Sequence, residues 1–327
     1  MNIKQVILKA FHDHPGEFIS GEELSQTCGC SRTAVWKHIE ELRKDGYEFE
    51  AVRKSGYRLL IAPDRLSAAE ITAGLDTKRI GQQVIAHDEV VSTQPLAQEA
   101  AARGAKEGTL VLAELQTGGK GRLGRPWHSP KGTGIWMSLI IRPAIQLPKT
   151  PQMTLLTAVS VARTIREETG LPVKIKWPND IFIGDKKVCG ILTELNAESD
   201  RVNYLVIGIG INANSVEEDF PQDLAKIATS LRIESGQSLK RASFIQQFCR
   251  FFEEEYDYYL ENGFGRVKQE WEAHSYTIGR WVNVQTISQR LEGRAIALDD
   301  EGVLMVEDQA GVVHKVYSAD VNYRANP

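Results

Sequence analysis

Apolar residues at the start of the chain are spaced as in an amphipathic helix. They occupy positions i, i+3, i+4, i+7 and i+8, and are Ile3, Val6, Ile7, Ala10 and Phe11. This spacing places their side chains on one face of an α-helix. Further along, Ser20 and Glu23 form a capping-box pattern, which predicts the start of a second helix. Gly29 predicts the turn that follows it.

A third helix is predicted to begin after Ser31, a residue type that caps helix N-termini. Its inward face carries Val35, Ile39 and Leu42. The residues left outward near its N-terminus are Arg32, Thr33, Trp36 and Lys37. This end of the helix, Ser31 included, is the part that enters the major groove in helix-turn-helix proteins.

A β-ribbon is predicted after the third helix. Tyr47, Phe49 and Ala51 alternate with polar residues, as in a strand, and the chain returns through residues 57–59 (YRL). The turn between them carries Arg53 and Lys54, which are placed to contact DNA phosphates. Three helices and a ribbon with a cationic tip predict a winged helix-turn-helix. A small helical protein–protein module is the alternative.

Composition breaks divide the rest of the chain. Residues 62–64 (APD) read as a linker. From Arg65 to about Ser275 strands alternate with longer helices, whereas from Thr277 onward short strands and turns remain. The strands predicted in this last part are residues 281–287, 291–298, 303–307 and 312–316. We therefore predict three domains, at residues 1–64, 65–275 and 276–327.

Length and hydropathy narrow the class of protein. A chain of 327 residues with 42% hydrophobic and 25% charged residues is typical of a soluble, globular protein of two or three domains. No apolar run reaches the roughly 20 residues that span a bilayer, and the amino terminus lacks the layout of a signal peptide. We therefore expect a cytoplasmic protein with no membrane partner.

Cysteines and charge refine that expectation. Four cysteines are expected to be reduced in the cytosol. Cys28 and Cys30 could begin a zinc site, but no second Cys/His pair follows at metal spacing, so no protein-only metal site is predicted. The net charge of −4 restricts any DNA contact to a local surface. Residues 31–58 hold seven Lys/Arg against five acidic residues, and this small surplus favours DNA binding by a dimer.

A loop after the apolar strand at residues 109–115 carries the strongest chemical signal. It reads GGKGRLGRPW over residues 118–127, and Lys120, Arg122 and Arg125 alternate with glycines. Glycines let the backbone approach a ligand, and the cations suit phosphate and carboxylate oxygens. The loop is neither a Rossmann turn, because no helix follows, nor a P-loop, because no Gly-Lys-Ser/Thr closes it. A solvated basic loop is the alternative.

Four other segments place polar groups at or next to the ends of apolar strands. Residues 174–180 (KIKWPND) end one strand, and residues 184–187 (GDKK) form a hairpin with Lys187 at the start of the return strand. Residues 88–94 (DEVVSTQ) lead from a strand into a helix that Ser92 or Thr93 caps. Residues 208–212 (GIGIN) end another strand with Asn212. Taken alone, Lys187 reads as a solvated lysine and residues 92–93 as a cap.

Together these segments resemble the biotin–protein ligase family, over essentially the whole chain. The string SRTAVWKHI at residues 31–39 is similar to the amino-terminal domain of bifunctional, Bacillus-type biotin ligase/repressors. The resemblance implies an α+β multidomain protein. Its parts would be an N-terminal winged helix-turn-helix, a central mixed-sheet α/β domain of the biotin/lipoate ligase type, and a C-terminal SH3-like β-barrel. That barrel would serve packing, or would help with ATP or the acceptor protein.

The resemblance also implies a two-step reaction. Biotin and ATP, with Mg²⁺, would give biotinyl-5′-AMP, and a lysine of an acceptor would then take the biotin. The implied partners are the biotin carboxyl carrier protein of acetyl-CoA carboxylase, other biotin-dependent carboxylases, and operator DNA. Biotinyl-5′-AMP would act as corepressor, and the protein would be a homodimer when the adenylate is bound.

Site residues follow from the same resemblance. The catalytic residues would be Lys187, Arg122 and Lys176. The biotin-binding residues would be Ser92, Thr93, Gln94, Gln116, Lys120, Gly121, Arg122 and Lys187. The ATP-binding residues would be Arg122, Arg125, Lys176, Asn179, Asp180 and Asn212. Asp180 would either orient Lys176 or hold the metal, and both readings stay open.

The sequence departs from the family pattern at two places, and two other functions compete with that of a biotin ligase. Lys120 stands where many relatives have arginine, which favours a backbone role there, and residues 224–230 (LAKIATS) lack the tryptophan on which some relatives stack adenine. A related scaffold serves lipoate ligases and octanoyl transferases, but the full glycine–cation loop points away from them. The other competitor is a transcription factor whose central domain only senses a ligand.

Overall fold

The structure is a computed structural model that describes residues 3–198, 201–285, 290–317 and 319–323. In its first domain, two helices begin at the capping residues that the sequence indicates. Helices α1 (Ile3–Asp13), α2 (Gly21–Cys28) and α3 (Arg32–Lys44) precede a ribbon of β1 (Glu48–Val52) and β2 (Gly56–Ile61). The Ser20 hydroxyl accepts the backbone N–H of Glu23, and the Ser31 hydroxyl accepts that of Ala34. The predicted starts of α2 and α3 are thus confirmed.

The core of this domain is the predicted apolar face of each helix. Ile7 and Phe11 of α1 pack with Val35 and Ile39 of α3, all of them buried. Phe49 of β1 closes the cluster and lies against the ring of Phe11, with the two centroids 5.3 Å apart. The winged helix-turn-helix predicted from the sequence is present.

The middle of the chain folds into a mixed sheet flanked by helices. Its elements are α4 (Ala68–Ala73), β3 (Val84–Val90), α5 (Thr93–Ala102), β4 (Leu110–Gln116), β5 (Ile135–Ile141), α6 (Thr150–Thr169), β6 (Val173–Lys176), β7 (Asp180–Ile183), β8 (Lys186–Glu198), β9 (Arg201–Ile211), α7 (Leu231–Ser235), α8 (Arg241–Asn262) and α9 (Gly265–Ala273). The strands run in the order β3-β4-β5-β9-β8-β7-β6. Only β3 and β4 pair in parallel within the described chain, through a crossover that contains α5.

Helices cover both faces of this sheet. Every residue of β5 is buried, as expected of a central strand that is covered on both sides. Ala97 and Ala101 of α5 pack on one face, whereas α6 and α8 pack on the other in the main core. None of the helices in the described ranges is both long enough and apolar enough to cross a membrane.

The last part of the chain is an antiparallel sheet. Its strands are β10 (Trp281–Gln285), β11 (Arg290–Leu298), β12 (Leu304–Glu307), β13 (Val313–Val316) and β14 (Asp320–Tyr323), in the order β13-β12-β11-β10-β14. Four strands were predicted, and β14 was missed. The predicted end of the first strand, residues 286–287, lies outside the described residues. Val282 and Val284 belong to the same buried cluster as α6 and α8.

The segment predicted as a linker is held firmly. Asp64 accepts the backbone N–H of Arg241 at 3.1 Å and its Nε–H at 2.9 Å, and the Asp64 carbonyl accepts an Nη2–H at 2.7 Å. The same guanidinium donates to Glu114 of β4 at 2.9 Å and to the carbonyl of Gly134 at 3.0 Å. Arg241 and Glu114 are both buried. The end of the linker is therefore fastened to the middle domain by a buried ionic cluster.

Helix α4 joins the first domain to the second. Its Ala73 lies in the core of the winged helix-turn-helix, and the Tyr47 hydroxyl donates to the Glu70 carboxylate at 2.5 Å. From the other side, Gln246 of α8 donates to the carbonyls of Glu70 and Ile71, at 2.8 and 3.1 Å. One short helix thus contacts both domains, and we call it the joint helix.

Candidate active site

A cavity of about 520 Å³ opens in the middle domain beside the glycine–cation loop. All residues predicted to bind biotin or ATP line it: Ser92, Thr93, Gln94, Gln116, Lys120, Gly121, Arg122, Arg125, Lys176, Asn179, Asp180, Lys187 and Asn212. They come from segments far apart in the chain. The strand ends and loops that the sequence singled out therefore converge on one space.

The glycine–cation loop is a tight, hydrogen-bonded turn. The Gly121 N–H donates to the Arg125 carbonyl at 2.8 Å, and the Trp127 N–H donates to the Gly119 carbonyl at 2.9 Å. Leu123, at φ 57°, takes a left-handed conformation in the short 3₁₀ turn at Arg122–Gly124. No room exists for a side chain at Gly119, where a Cβ would lie 2.6 Å from the Trp127 carbonyl oxygen. These contacts fix the shape of the loop, whose residues Lys120 to Arg122 line the cavity.

Hydrogen bonds attach the cationic side of the cavity to its walls. Arg122 Nη1 donates to Asn179 Oδ1 at 3.3 Å. Asn179 is itself held by the Ile191 carbonyl, 2.6 Å from its Nδ2, and the Asn212 amide donates to the Thr229 carbonyl at 2.9 Å. Arg122 is thereby tied to the strand end that carries Lys176, so the cations of two distant segments share one wall.

Lys187 forms an ion pair that the sequence did not predict. Its Nζ lies 2.6 Å from Oδ1 of Asp180, on the neighbouring strand. Asp180 was expected to orient Lys176 or to hold a metal, and the structure adds Lys187 as a third partner. The Lys187 ammonium also lies 5.1 Å from the centroid of the Trp127 ring. An acid on one side and an aromatic face on the other fix this cation at the cavity.

Trp127 is a site residue that the sequence reasoning missed. Its indole packs against Gly190 of β8 and Gly210 of β9, which face each other in the sheet. A Cβ at Gly210 would lie 2.4 Å from the indole Nε1, and one at Gly190 would lie 3.0 Å from a ring carbon. The two glycines were visible in the sequence as unusual breaks in apolar strands. That they make room for the indole could not be seen from the sequence, because it depends on the register of the two strands.

The cavity lining shows which side chains are available to an adenine ring. Leu224, Ile227 and Ala228, from the segment that lacks a tryptophan, do line the cavity. Three aromatic side chains, Trp127, Trp177 and Phe220, line it as well. Planar apolar surface is therefore available to a flat ring, although it comes from outside residues 224–230.

The three parts of the chain each match a protein family. Residues 89–212 match the biotin/lipoate A/B protein ligase family, residues 4–58 match an HTH domain, and residues 277–323 match the biotin protein ligase C terminal domain.

Whole-chain relatives agree with these matches. The bifunctional ligase/repressor BirA of Bacillus spizizenii is 51% identical over 319 residues, which are 98% of this chain and 98% of the relative. BirA of Escherichia coli is 29% identical over 95% of this chain and 94% of its own. The chain belongs to the bifunctional ligase/repressor family. A solved structure of the biotin protein ligase from Aquifex aeolicus, in complex with biotin and ATP, has a TM-score of 0.65 at 28% identity; the match covers 75% of this chain and 100% of that one.

The bifunctional ligase/repressor therefore joins a biotin ligase domain to a DNA-binding helix-turn-helix, as the sequence predicted. The predicted DNA-facing residues are all exposed: Ser31, Arg32, Thr33, Trp36, Lys37, Arg53 and Lys54. Trp36 is 54% exposed despite its size. Arg58, by contrast, is bound to Glu50 and lies 4.6 Å from the Phe18 ring centroid, so the wing tip is left to Arg53 and Lys54.

Metal ligands are sparse in the ligase/repressor. The described residues contain no group of three or more His, Cys, Asp or Glu side chains that could hold a metal ion. All four cysteines are free thiols. Burial raises the pKa of the Cys189 and Cys249 thiols, which keeps them protonated. Among the residues that the structure describes, Asp180 is the acid that lines the cavity, and it is paired with Lys187.

Proposed function

We propose that this ligase/repressor activates biotin with ATP to biotinyl-5′-AMP and then transfers the biotin to a lysine of a carrier domain. The observation that carries the proposal is that one cavity holds both a buried polar pocket, around Thr93 and Gln116, and a cluster of cations around Arg122. A small neutral ring suits the first and phosphate oxygens suit the second. The Aquifex aeolicus relative, which binds biotin and ATP, supports this pairing.

The nucleotide would lie on the cationic wall. We assign Arg122, Arg125 and Lys176 to its phosphates, with Asn179 and Asn212 as hydrogen-bonding partners. The attacking biotin carboxylate is already an anion, so the first step needs no protein base. It needs positive charge that is fixed before the reaction where negative charge accumulates. The Arg122–Asn179 contact provides such fixation at 3.3 Å.

Biotin would lie in the polar pocket with its carboxylate toward Lys187. We assign Ser92, Thr93 and Gln116 to the ureido end, with Gln94 supporting them from behind, where its amide is bonded. The loop backbone at Lys120 and Gly121 would cover the ring. Apolar walls from Met137 and Ile209 complete the pocket. Lys187 would polarise the carboxylate, and later the adenylate carbonyl. The catalytic residues proposed are thus Lys187, Arg122 and Lys176.

Magnesium would arrive with ATP rather than be held by the protein alone. Asp180 offers one carboxylate beside the proposed phosphate site, and Mg²⁺ commonly takes one or two carboxylates together with substrate phosphates. Asp180 would thus be its protein ligand, and the ion would neutralise phosphate charge. The same residue also orients Lys187 through the 2.6 Å ion pair.

A carrier assay tests the ligase function. The protein is mixed with Mg-ATP, a biotin carboxyl carrier domain of acetyl-CoA carboxylase and either biotin or lipoate, and the carrier is weighed by mass spectrometry. We expect a biotinyl adduct that depends on ATP and is absent when the carrier lysine is replaced. A lipoyl adduct of equal yield would overturn the assignment to biotin, and no adduct of either kind would overturn the ligase function.

For the repressor function we propose that biotinyl-5′-AMP is the corepressor and that two copies bind operator DNA together in the cytoplasm. Residues 31–58 carry seven Lys/Arg against five acidic residues, so one copy gains little from phosphates. The glycine–cation loop lies over the cavity, where a bound adenylate would contact it and could complete a dimer surface. A carrier domain that consumes the adenylate would relieve repression. The functional units would be residues 1–64, 65–275 and 276–327.

A gel shift tests the corepressor. On promoter DNA of a biotin-synthesis operon, we expect biotin plus ATP to raise operator affinity, and sedimentation to show dimers under the same conditions. Replacing both Arg53 and Lys54 by alanine should remove the shift and leave carrier biotinylation unchanged. Replacing Arg103, an exposed cation that follows the end of α5, is the matched control and should change neither. Equal operator affinity with and without the adenylate would defeat the corepressor proposal alone.

A further inference from the structure

A chain of buried hydrogen bonds begins at Gln94, behind the polar pocket. The Gln94 amide nitrogen lies 3.3 Å from the Leu192 carbonyl oxygen and 3.0 Å from that of Val206. Backbone carbonyls only accept, so both amide hydrogens of Gln94 are committed to them. Gly208 leaves the space for this arrangement, because a Cβ there would lie 2.6 Å from Gln94 Oε1. The other end of the amide, Oε1, is therefore fixed as an acceptor.

Because Gln94 Oε1 accepts, the hydrogen bonds of Ser138 also have a fixed direction. Its hydroxyl lies 2.9 Å from Gln94 Oε1 and 2.8 Å from the Thr93 hydroxyl, and the side chain is fully buried on β5. A hydroxyl has one hydrogen, and Gln94 Oε1 can only accept it. Ser138 is thus the donor to Gln94. The contact between Ser138 and Thr93 is then a hydrogen bond in which Thr93 donates.

Thr93 is left without a hydrogen for the cavity. Its single hydroxyl hydrogen goes to Ser138 at 2.8 Å, and the other acceptor within reach, Gln116 Oε1, is farther away at 3.3 Å. With either acceptor the oxygen presents only lone pairs to a ligand. The neighbouring Gln116 Oε1 accepts the backbone N–H of Thr93 at 2.9 Å, which holds the hydroxyl at the cavity wall. The direction of hydrogen bonding at the pocket is therefore set by residues behind it.

We propose that Ser138 and Gln94 are positioning residues that make Thr93 an obligate acceptor, so that the pocket selects a ring with an N–H at that position. This inference rests on the proposed biotin-ligase function and extends it to specificity. A ureido ring offers such an N–H, whereas a ring with an oxygen at the same place offers lone pairs against lone pairs. The dithiolane ring of lipoate has no N–H at all.

The test compares biotin with its two cyclic carbamate analogues, in each of which one ureido N–H is replaced by a ring oxygen. Kinetics of adenylate formation give kcat and KM for each. We expect the parent protein to disfavour one carbamate strongly. In Ser138→Ala the Thr93 hydroxyl keeps only the longer contact with Gln116 Oε1, at 3.3 Å, and can turn its hydrogen toward a ring oxygen instead. The preference for biotin over that carbamate should therefore fall about two- to tenfold, as the loss of one oriented hydrogen bond implies. The KM for biotin should rise by a similar factor, with kcat unchanged.

Controls separate positioning from stability. Ser160→Ala removes another fully buried hydroxyl, which bonds only its own helix through the Leu156 carbonyl, and it should leave the biotin-to-carbamate ratio unchanged. Gln94→Met frees Ser138 by a second route and should reproduce the Ser138→Ala ratio. An unchanged ratio in both Ser138→Ala and Gln94→Met would overturn the proposal. A parent protein that makes no biotinyl-adenylate would instead refute the proposed function.

Discussion

Replacing Lys187 with alanine is expected to slow biotin transfer about ten- to a hundredfold while the protein stays folded. Hydrogen bonds to charged groups contribute roughly 1.5–3 kcal/mol, which corresponds to that factor. The ammonium is fixed 2.6 Å from Asp180 and 5.1 Å from the Trp127 ring centroid, so little reorganisation is needed when the biotin carboxylate binds. Steady-state turnover with a carrier domain measures the effect.

The neighbouring lysine supplies the matched control. Lys186 belongs to the same hairpin and strand, but it lines a separate small cavity rather than the one that holds Lys187. Lys186→Ala should therefore keep turnover within about twofold of the parent. If Lys187→Ala also stays within twofold, Lys187 has no catalytic role, and its ion pair with Asp180 is structural.

The second large effect is expected on stability, in Arg241→Met. All five guanidinium N–H groups are engaged, by Asp64, Glu114 and the Gly134 carbonyl. Methionine leaves the Glu114 carboxylate buried without its cation, a change that costs about 3–5 kcal/mol. We expect thermal unfolding of the middle domain to shift down by on the order of 10 °C.

Two further variants show whether charge is the cause. In the double variant Arg241→Met/Glu114→Gln the uncompensated carboxylate is gone, so part of the lost stability should return. Arg103→Met removes an exposed arginine whose partner is Glu99, and surface pairs of this kind contribute at most about 1 kcal/mol. A midpoint for Arg241→Met equal to that of Arg103→Met would contradict the role given to the buried cluster.

Features that depend on neighbouring residues were predictable from sequence. Ser20 and Ser31 cap helices because a hydroxyl two or three residues before a free N–H is enough to bind it, whatever the rest of the chain does. The hairpin before Lys187 and the cap at Ser92 follow from equally local chemistry. Such signals also brought candidate site residues to light, since many of them lie at or next to the end of a strand.

Features that depend on distant partners were not predictable. Trp127 read as part of a basic loop, and only the pairing of Gly190 with Gly210 across two strands shows where its ring fits. Asp64 read as part of a linker because its partner, Arg241, lies 177 residues away. Strand β14 was missed because its pairing with β10, far earlier in the chain, decides its conformation.

The joint helix bears on the distance between the DNA-binding domains of two copies. If a flexible linker carried the DNA-binding domain, a pair of copies would reach half-sites at several separations. The operator would then be defined by base sequence alone. Here α4 is packed into the winged helix through Ala73 and fastened to α8 by Gln246. Two copies that dimerise as proposed would then hold their α3 helices at one separation. Half-site spacing in the DNA would then contribute to specificity alongside the bases themselves.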